Sequence, residues 1–393
     1  MTDQHQHVPA EARNRLGRGA AEIQLMSKGD FERRLAEMAA GRAPRDFFYG
    51  FLGLVDKGYD ARFQRTDRPY PGIGGAIAGA RERLRARLTG FSERDGVLEE
   101  RAAHWFRAKA MVSFTDHFSL TMGRVLKPIL VRPFTIGLFH GLSDIESRLP
   151  WLGRRIGYGH IWRSLAGLDH VGFFGPADRE EAIARYGLDP SRTSIFPFGV
   201  DTAFWCPGEE EAAPKPFVLS VGSDPSRDFA TLVAAPVRAP VHIITRLPVD
   251  VPSDRSNVTV MAGHYFQSPL DDVGLRRLYR QADVVVVTLK DVFQPTGYSV
   301  CLQAMACGCP VVLSDIRGLW SPGLYVDGEH ARLVPPANPQ AMADAINDLL
   351  AHPEEARAMG ERARAITLLH HRLEIMDAAL EDLVCLAPGI ERR

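Results

Sequence analysis

The sequence predicts an α/β protein built from two doubly wound, parallel-sheet halves, and three observations carry that reading. Short apolar runs give way to polar turns and then to helix-like stretches, again and again, which is the pattern of parallel strands joined by crossover helices. The chain is 393 residues long, which suits two domains of about 100–200 residues each. No repeat of about 20–50 residues is present, so a solenoid is excluded. Hydrophobic residues at 45% and charged residues at 24% also exclude a disordered or collagen-like chain.

In the first half, Ile23 to Ser27 reads as a strand that exits through Lys28-Gly29. Phe47 to Val55 has helical spacing and stops at Lys57-Gly58, a basic residue followed by glycine. Ala61 to Phe63 resumes in extended form, and Met111 to Phe114, Thr135 to Phe139 and His170 to Phe174 are further strands. In the second half the strands are Phe217 to Val221, Val241 to Thr245, Val258 to Met261, Asp283 to Leu289 and Cys309 to Leu313. The helices are predicted from Asp228, over Leu275 to Gln281, over Gly297 to Cys307, and over Ala341 to Leu350 and Glu354 to Ile366. Pro207 to Pro216 is rich in Pro and Glu and reads as a linker. The expected domains are therefore 1–205 and 206–371, Rossmann-like and facing a central cleft, with a C-terminal helix in 372–393 packing back on the first.

Met1 to Arg18 is polar and charged, without the apolar core of a secretory signal. No stretch reaches the roughly 18 apolar residues of a membrane span; Val125 to Leu142 is broken by Lys127, Pro128, Arg132 and Pro133. Five cysteines without a paired framework suit a reducing cytoplasm. Cys307 and Cys309 lack accompanying ligands and read as small buried residues, and His5 and His7 carry no metal argument alone. No metal site is expected.

Formal charge sums to −1, but the total hides an asymmetry. Residues 1–200 hold 30 Lys+Arg against 23 Asp+Glu, a net of +7, and the rest holds 17 against 25, a net of −8. Residues 61–134 alone carry 14 against 7. Within them, 72–88 reads as a basic helix: Ile73, Ile77, Ala80, Leu84 and Leu88 form an apolar stripe flanked by Arg81, Arg83, Arg85 and Arg87. Such a helix can pack its stripe on the sheet, position an anionic acceptor, or lie in a membrane interface. Nucleic acid is not expected, because no stacking aromatics or reading motif accompany the charge.

The densest motif is Gln294-Pro-Thr-Gly-Tyr-Ser-Val-Cys-Leu-Gln-Ala-Met-Ala-Cys-Gly-Cys-Pro-Val-Val312. Here a loop leaves a buried strand and enters a helix at Gly297-Tyr298-Ser299. The unpaired amides and dipole of such a terminus can hold a phosphate, although a plain strand–helix turn has the same appearance. Val221-Gly-Ser-Asp-Pro-Ser-Arg-Asp228 ends another strand and supplies Arg227, suited to bidentate phosphate binding or to an ordinary surface role. In the first half, Ile136-Gly-Leu-Phe-His140-Gly141 and Asp116-His117 close two strands on one edge. A lone His beyond a strand can be structural or functional.

The 294–312 stretch resembles the donor-site motif of the family-4 retaining glycosyltransferases of the GT-B fold. Leu275-x-x-Leu-Tyr-x-x-Ala-Asp-Val-Val-Val, Gly323-Leu-Tyr-Val-Asp-Gly328, Leu333-Val-Pro-Pro336 and Ile195-Phe-Pro-Phe-Gly-Val-Asp201 resemble the same family. The likeness is dense over about 200–370 and sparse before about 130. It implies transfer of a sugar, with retention of configuration, from a UDP- or GDP-sugar to a lipid-linked, glycan or small-molecule acceptor. A catalytically silent binding protein of this fold and a nucleotide-sugar epimerase are the alternatives. The resemblance implies no metal and no cofactor beyond the nucleotide-sugar. The cysteine usage adds the expectation of a cytoplasmic enzyme, and the basic stretch 72–88 that of contact with the inner membrane face. The resemblance places Arg227 and His140 as catalytic groups, Gly222, Ser223, Thr296, Gly297, Tyr298 and Ser299 around the donor, and Gln303 on the ribose. Asp116 and His117, at the next loop of the same edge as His140, are the acceptor-side candidates. The family's paired Glu residues are replaced here by Pro295 and Gln303.

Overall fold

The computed structural model describes residues 10–16, 19–66, 72–89, 98, 105, 107–145, 151–208, 216–262 and 270–393. They form two compact units. The N-terminal unit takes its described residues from 10–36, 48–197 and 376–393, and the C-terminal unit takes 37–47 and 198–375. The short segment 37–47 therefore belongs with the second unit. Most of the predicted linker, 209–215, lies outside the described residues.

In order, the N-terminal unit contains α1 (Ala10–Asn14), β1 (Ile23–Ser27), α2 (Phe31–Ala39), α3 (Phe51–Asp56), β2 (Ala61–Arg65), α4 (Gly72–Thr89) and β3 (Ala110–Ser113). It continues with α5 (Asp116–Leu126), β4 (Phe134–Phe139), α6 (Trp151–Leu165), β5 (His170–Phe173), α7 (Pro176–Tyr186) and β6 (Thr193–Ile195). All strands are parallel, in the order β2-β1-β3-β4-β5-β6. Strands β1, β3 and β5 are buried at every position, as sheets covered on both faces require.

The predicted helix from Phe47 does not form as one piece. A single 3-10 turn at Asp46–Phe48 is followed by Tyr49 at φ 49° and Gly50 at φ 87°, and the α-helix begins only at Phe51. Two successive left-handed residues cannot continue a right-handed helix. Gly50 has a second reason to lack a side chain, since a Cβ there would lie 3.0 Å from the Leu380 Cβ. That contact is part of the return of the C-terminus, where Glu381, fully buried, accepts from Tyr59 Oη at 2.8 Å and pairs with Lys57.

The C-terminal unit contains β7 (Val218–Val221), α8 (Phe229–Ala234), β8 (Val241–Thr245), β9 (Val258–Ala262), α9 (Asp272–Gln281), β10 (Val284–Val287) and α10 (Tyr298–Ala306). It ends with β11 (Val311–Ser314), β12 (Arg332–Val334), α11 (Pro339–Ala351), α12 (Pro353–His370) and α13 (Leu373–Val384), whose last turns join the other unit. The parallel order is β12-β11-β10-β7-β8-β9. Val284 to Val287 are fully buried at the centre, and Val284 and Val286, on one face, pack with Val218, Ile243, Val312 and Ile346. The three-residue strands β6 and β12 escaped the sequence reading, being too short to show a period.

Helix α5 meets α6 and the turn after it with backbone touching backbone. A Cβ on Gly123 would come 2.0 Å from the Ser164 carbonyl oxygen, and one on Gly167 would come 1.9 Å from the Gly123 oxygen. Backbone cannot rotate aside as a side chain can. Gly123→Val is therefore expected to destabilise the N-terminal unit by about 1–3 kcal/mol or more. Urea unfolding would measure this, and an unchanged midpoint would refute the packing argument.

Candidate functional site

In a doubly wound sheet the ligand crevice lies outside the strand carboxyl ends, where the strand order reverses. In the C-terminal unit that reversal falls between β7 and β10. The loops leaving these two strands are the ones that carry Gly222 to Arg227 and Gln294 to Ser299.

The loop after β7 is tightly tied. Gly222 turns it at φ 149° and donates from its amide to the Ile244 carbonyl. Ser223 Oγ accepts from the Arg246 amide at 3.0 Å. Asp224 Oδ1 accepts from the Ser226 amide at 2.8 Å, so the chain bends back. Residues 226–228 then lie against the segment after β10: the Lys290 amide donates to Ser226 O and the Asp228 amide to Thr288 O. Asp228 next caps α8, accepting from the Thr231 amide.

This bracing puts Arg227 inside the protein. It is 5% exposed, and its Nε and Nη1 have no hydrogen-bond partner. Its guanidinium fills space that side chains would otherwise need, because a Cβ on Gly222 would fall 2.3 Å from Nε and one on Gly297 3.3 Å from Nη1. Burial pulls the guanidinium pKa down from its ordinary value, with Asp224 opposing that shift. Arginine nevertheless remains charged. The result is a desolvated cation with unused donors, beneath two glycines.

Gly297 precedes α10 at φ 76°, a left-handed residue that also leaves room for Val287, whose Cγ1 would lie 2.7 Å from a Cβ. No side chain caps α10. Gly297, Tyr298 and Ser299 are half-buried, so the helix terminus is reachable. Tyr298 packs against Phe198 and Trp320. The Thr296 and Thr288 hydroxyls are buried without partners. Arg227, Gly222, Thr296 and the α10 terminus are thus brought together, while Ser223 is engaged by the next loop.

Gln303 has a different setting from the one expected for a ribose ligand. It is fully buried, and Nε2 donates to Asp46 Oδ2 at 3.1 Å. Asp46 also accepts from the Trp205 indole at 2.8 Å and from the Asp201 amide at 2.5 Å. Asp201 in turn accepts from the Arg45, Ala203 and Phe204 amides. Burial, reinforced by the Asp201 charge, raises the Asp46 pKa to about 7, against the three donated bonds. Nothing in the local sequence around Asp46 signals this cluster, because its partners stand more than 150 residues away.

The N-terminal unit fixes its own candidates by the same means. The His140 amide donates to Asp116 Oδ1 at 2.7 Å, and His140 Nε2 donates to Phe114 O at 3.0 Å. The ring stacks on Phe174, with centroids 4.2 Å apart. Asp116 and His140 therefore form one corner, and His117 is exposed beside them. Asp178, missed from sequence, is fully buried beneath that corner and accepts from the Leu142 and Ser143 amides. Burial lifts its pKa to about 7. The Cys301, Cys307 and Cys309 thiols are buried, and burial pushes the Cys307 pKa up to about 12. Among the described residues no group of three or more His, Cys, Asp or Glu could hold a metal ion.

Comparison with known proteins gives these geometries a context. Residues 233–352 match the family described as "Glycosyl transferases group 1". The chain is 25% identical over 331 residues to D-inositol 3-phosphate glycosyltransferase of Segniliparus rotundus, covering 74% of this chain and 71% of that protein. It is 28% identical over 265 residues to alpha-maltose-1-phosphate synthase of Mycolicibacterium smegmatis, covering 58% and 68%. Sucrose-phosphate synthase from Thermosynechococcus elongatus shares the fold with a TM-score of 0.66 at 20% identity, over 93% and 98% of the two chains. HepE of Anabaena, solved in complex with UDP-glucose, has a TM-score of 0.62 at 14% identity, over 92% and 99%.

Fold and sequence matches together define a glycosyltransferase of GT-B architecture, with two Rossmann-like units. Its sequence resemblance is to the family-4 enzymes and is carried by the C-terminal unit.

Proposed function

We propose that the protein transfers a sugar from a nucleotide-sugar to a hydroxyl acceptor with retention of configuration and without a metal ion. The observation that carries this reading is the buried Arg227 guanidinium, with Nε and Nη1 unpartnered, beside the uncapped start of α10. A donor diphosphate seated on the α10 amides would use those donors and neutralise the cation. As the bond between the sugar C1 and the phosphate oxygen breaks, its electron pair goes to the diphosphate. Arg227 and the helix terminus stabilise the charge that develops there. The acceptor hydroxyl attacks on the face the diphosphate leaves, and its proton passes to a departing phosphate oxygen.

Arg227 and the amides of Gly297 to Ser299 hold the diphosphate, and Thr296 is within the same turn. Gln303 is not assigned to the ribose, because its amide is enclosed with Asp46. His140, held by Asp116 and Phe114 O, stands as the sugar contact of the N-terminal unit, with His117 on the acceptor side. UDP- and GDP-sugars are the favoured donors, supported by the UDP-glucose bound in the structural neighbour HepE. The sugar-phosphate and inositol-phosphate names among the relatives favour an anionic acceptor.

A thermal-shift screen of UDP-, GDP-, ADP- and CMP-sugars with and without EDTA tests the reading. A ligand at about 100 times its Kd contributes about 2.7 kcal/mol. For units of this size that is a rise of roughly 5–10 °C. One nucleotide class should give this rise, unchanged by EDTA, and NMR of the transferred product should show the donor's anomeric configuration. Stabilisation with neither transfer nor hydrolysis would instead identify a binding protein. Donor isomerisation without an acceptor would identify an epimerase.

A further inference from the structure

We infer that the helical face of the N-terminal unit docks on an anionic membrane surface, through α4, the α5–β4 loop and α6. Right-handed crossovers in one direction along the sheet put α4, α5 and α6 on the same side, and α6 contacts both of the others. Each of the three segments exposes large apolar side chains. Leu130 and Val131, in the loop between Lys127 and Pro133, are 101% and 77% exposed. Ile77 and Leu84 are 63% and 59% exposed, seven residues apart on one stripe of α4, with exposed Ala80 between them and buried Ala78 turned inward. Trp162 on α6 is 48% exposed.

The stripe that the sequence left open between core and interface thus points to solvent wherever its side chains are described. Exposed apolar side chains on one helical side, with an amphipathic indole among them, are what a bilayer interface accepts. Its charge selects the lipid. Residues 72–89, 116–133 and 151–165 together hold ten Lys+Arg against two Asp+Glu, in a chain whose total is −1. Arg81, Arg83, Lys127 and Arg163 are exposed among the apolar groups. Juxtaposed basic and apolar side chains favour headgroups of negative charge, with about 1 kcal/mol, or roughly fivefold in partition, for each cation near the surface. Among the described residues no helix is long and apolar enough to cross a membrane, so the attachment is interfacial. This inference does not rest on the donor-site reading.

The test is sedimentation of the full chain with vesicles of phosphatidylcholine alone, or with about one-third phosphatidylglycerol. Wild type should partition at least tenfold more strongly onto the anionic vesicles, and high salt should weaken it. Leu130→Asp with Val131→Asp should cut partition at least fivefold at any salt. Arg81→Glu with Arg83→Glu should cut it and flatten the salt dependence. All these positions are exposed, and unchanged melting and nucleotide-induced stabilisation would show that the fold and donor site are intact. Partition that is absent, indifferent to lipid charge or unaffected by both variants overturns the inference. So does ultracentrifugation showing that Leu130→Asp with Val131→Asp dissolves a dimer, which would make a second copy the occupant. Equal affinity for anionic vesicles and for a nucleic acid duplex would also overturn it.

Discussion

Arg227→Met should raise the melting temperature of the ligand-free protein while erasing its response to nucleotide-sugar. The two effects have one cause. In the free protein the guanidinium is buried with two nitrogens unpartnered, a state that costs folding energy. Methionine has a comparable apolar length and can fill the space beneath Gly222 and Gly297 without a charge. The donor diphosphate then loses its desolvated cation, and removing one such preorganised donor typically lowers kcat by about 10²–10³-fold. Arg227→Lys should lie between the two, keeping the charge without the forked donors. Differential scanning fluorimetry and a transfer assay on the same preparations measure both halves. A variant that is less stable than wild type and still stabilised by nucleotide would assign Arg227 a structural role and undo the donor-site proposal.

The turn from β10 into α10 is legible because it is local. Its strand, left-handed glycine and helix start lie within fifteen residues, and the physics of a helix terminus follows from them directly. Strand Ile23–Ser27 and strand Val241–Thr245 likewise each carry three apolar residues in a five-residue run, enough to be read to the residue. What escaped was set by distant parts of the chain. Tyr49 and Gly50 break an otherwise helical pattern because Phe114 and Leu380 pack there. Asp178 organises the loop after His140 from another helix. Segment 37–47 joins the second unit through Asp46, across 257 residues from Gln303. No window of sequence contains that pair.

That pair also accounts for a departure from the family pattern. Asp46, buried and facing the Asp201 carboxylate, has its pKa raised from 3.8 to about 7. The folded protein therefore holds a proton that the unfolded chain releases near pH 4. Stability from this group is full below about pH 4, declines as pH rises towards 7, and is flat above. The difference of about three pH units corresponds to roughly 4 kcal/mol. Asp178 behaves alike in the other unit, so Asp46→Asn should remove only the part of the decline reported by unfolding of the C-terminal unit, where Trp205 is the natural probe. Turning over the Gln303 amide brings Oε1, which has no partner, to face the proton of Asp46 or an amide at that position. Glutamine suits both protonation states of its neighbour, whereas the family's glutamate would place two carboxylates about 3 Å apart in the interior. Gln303→Glu should accordingly destabilise the C-terminal unit by about 3–5 kcal/mol at pH 8 and much less at pH 5, where the pair can share a proton. Adding Asp46→Asn should recover most of the loss at pH 8, with a coupling energy well above about 1 kcal/mol in the double-mutant cycle. Additive effects would mean that Gln303 stands at this position for a reason other than the carboxylate it faces.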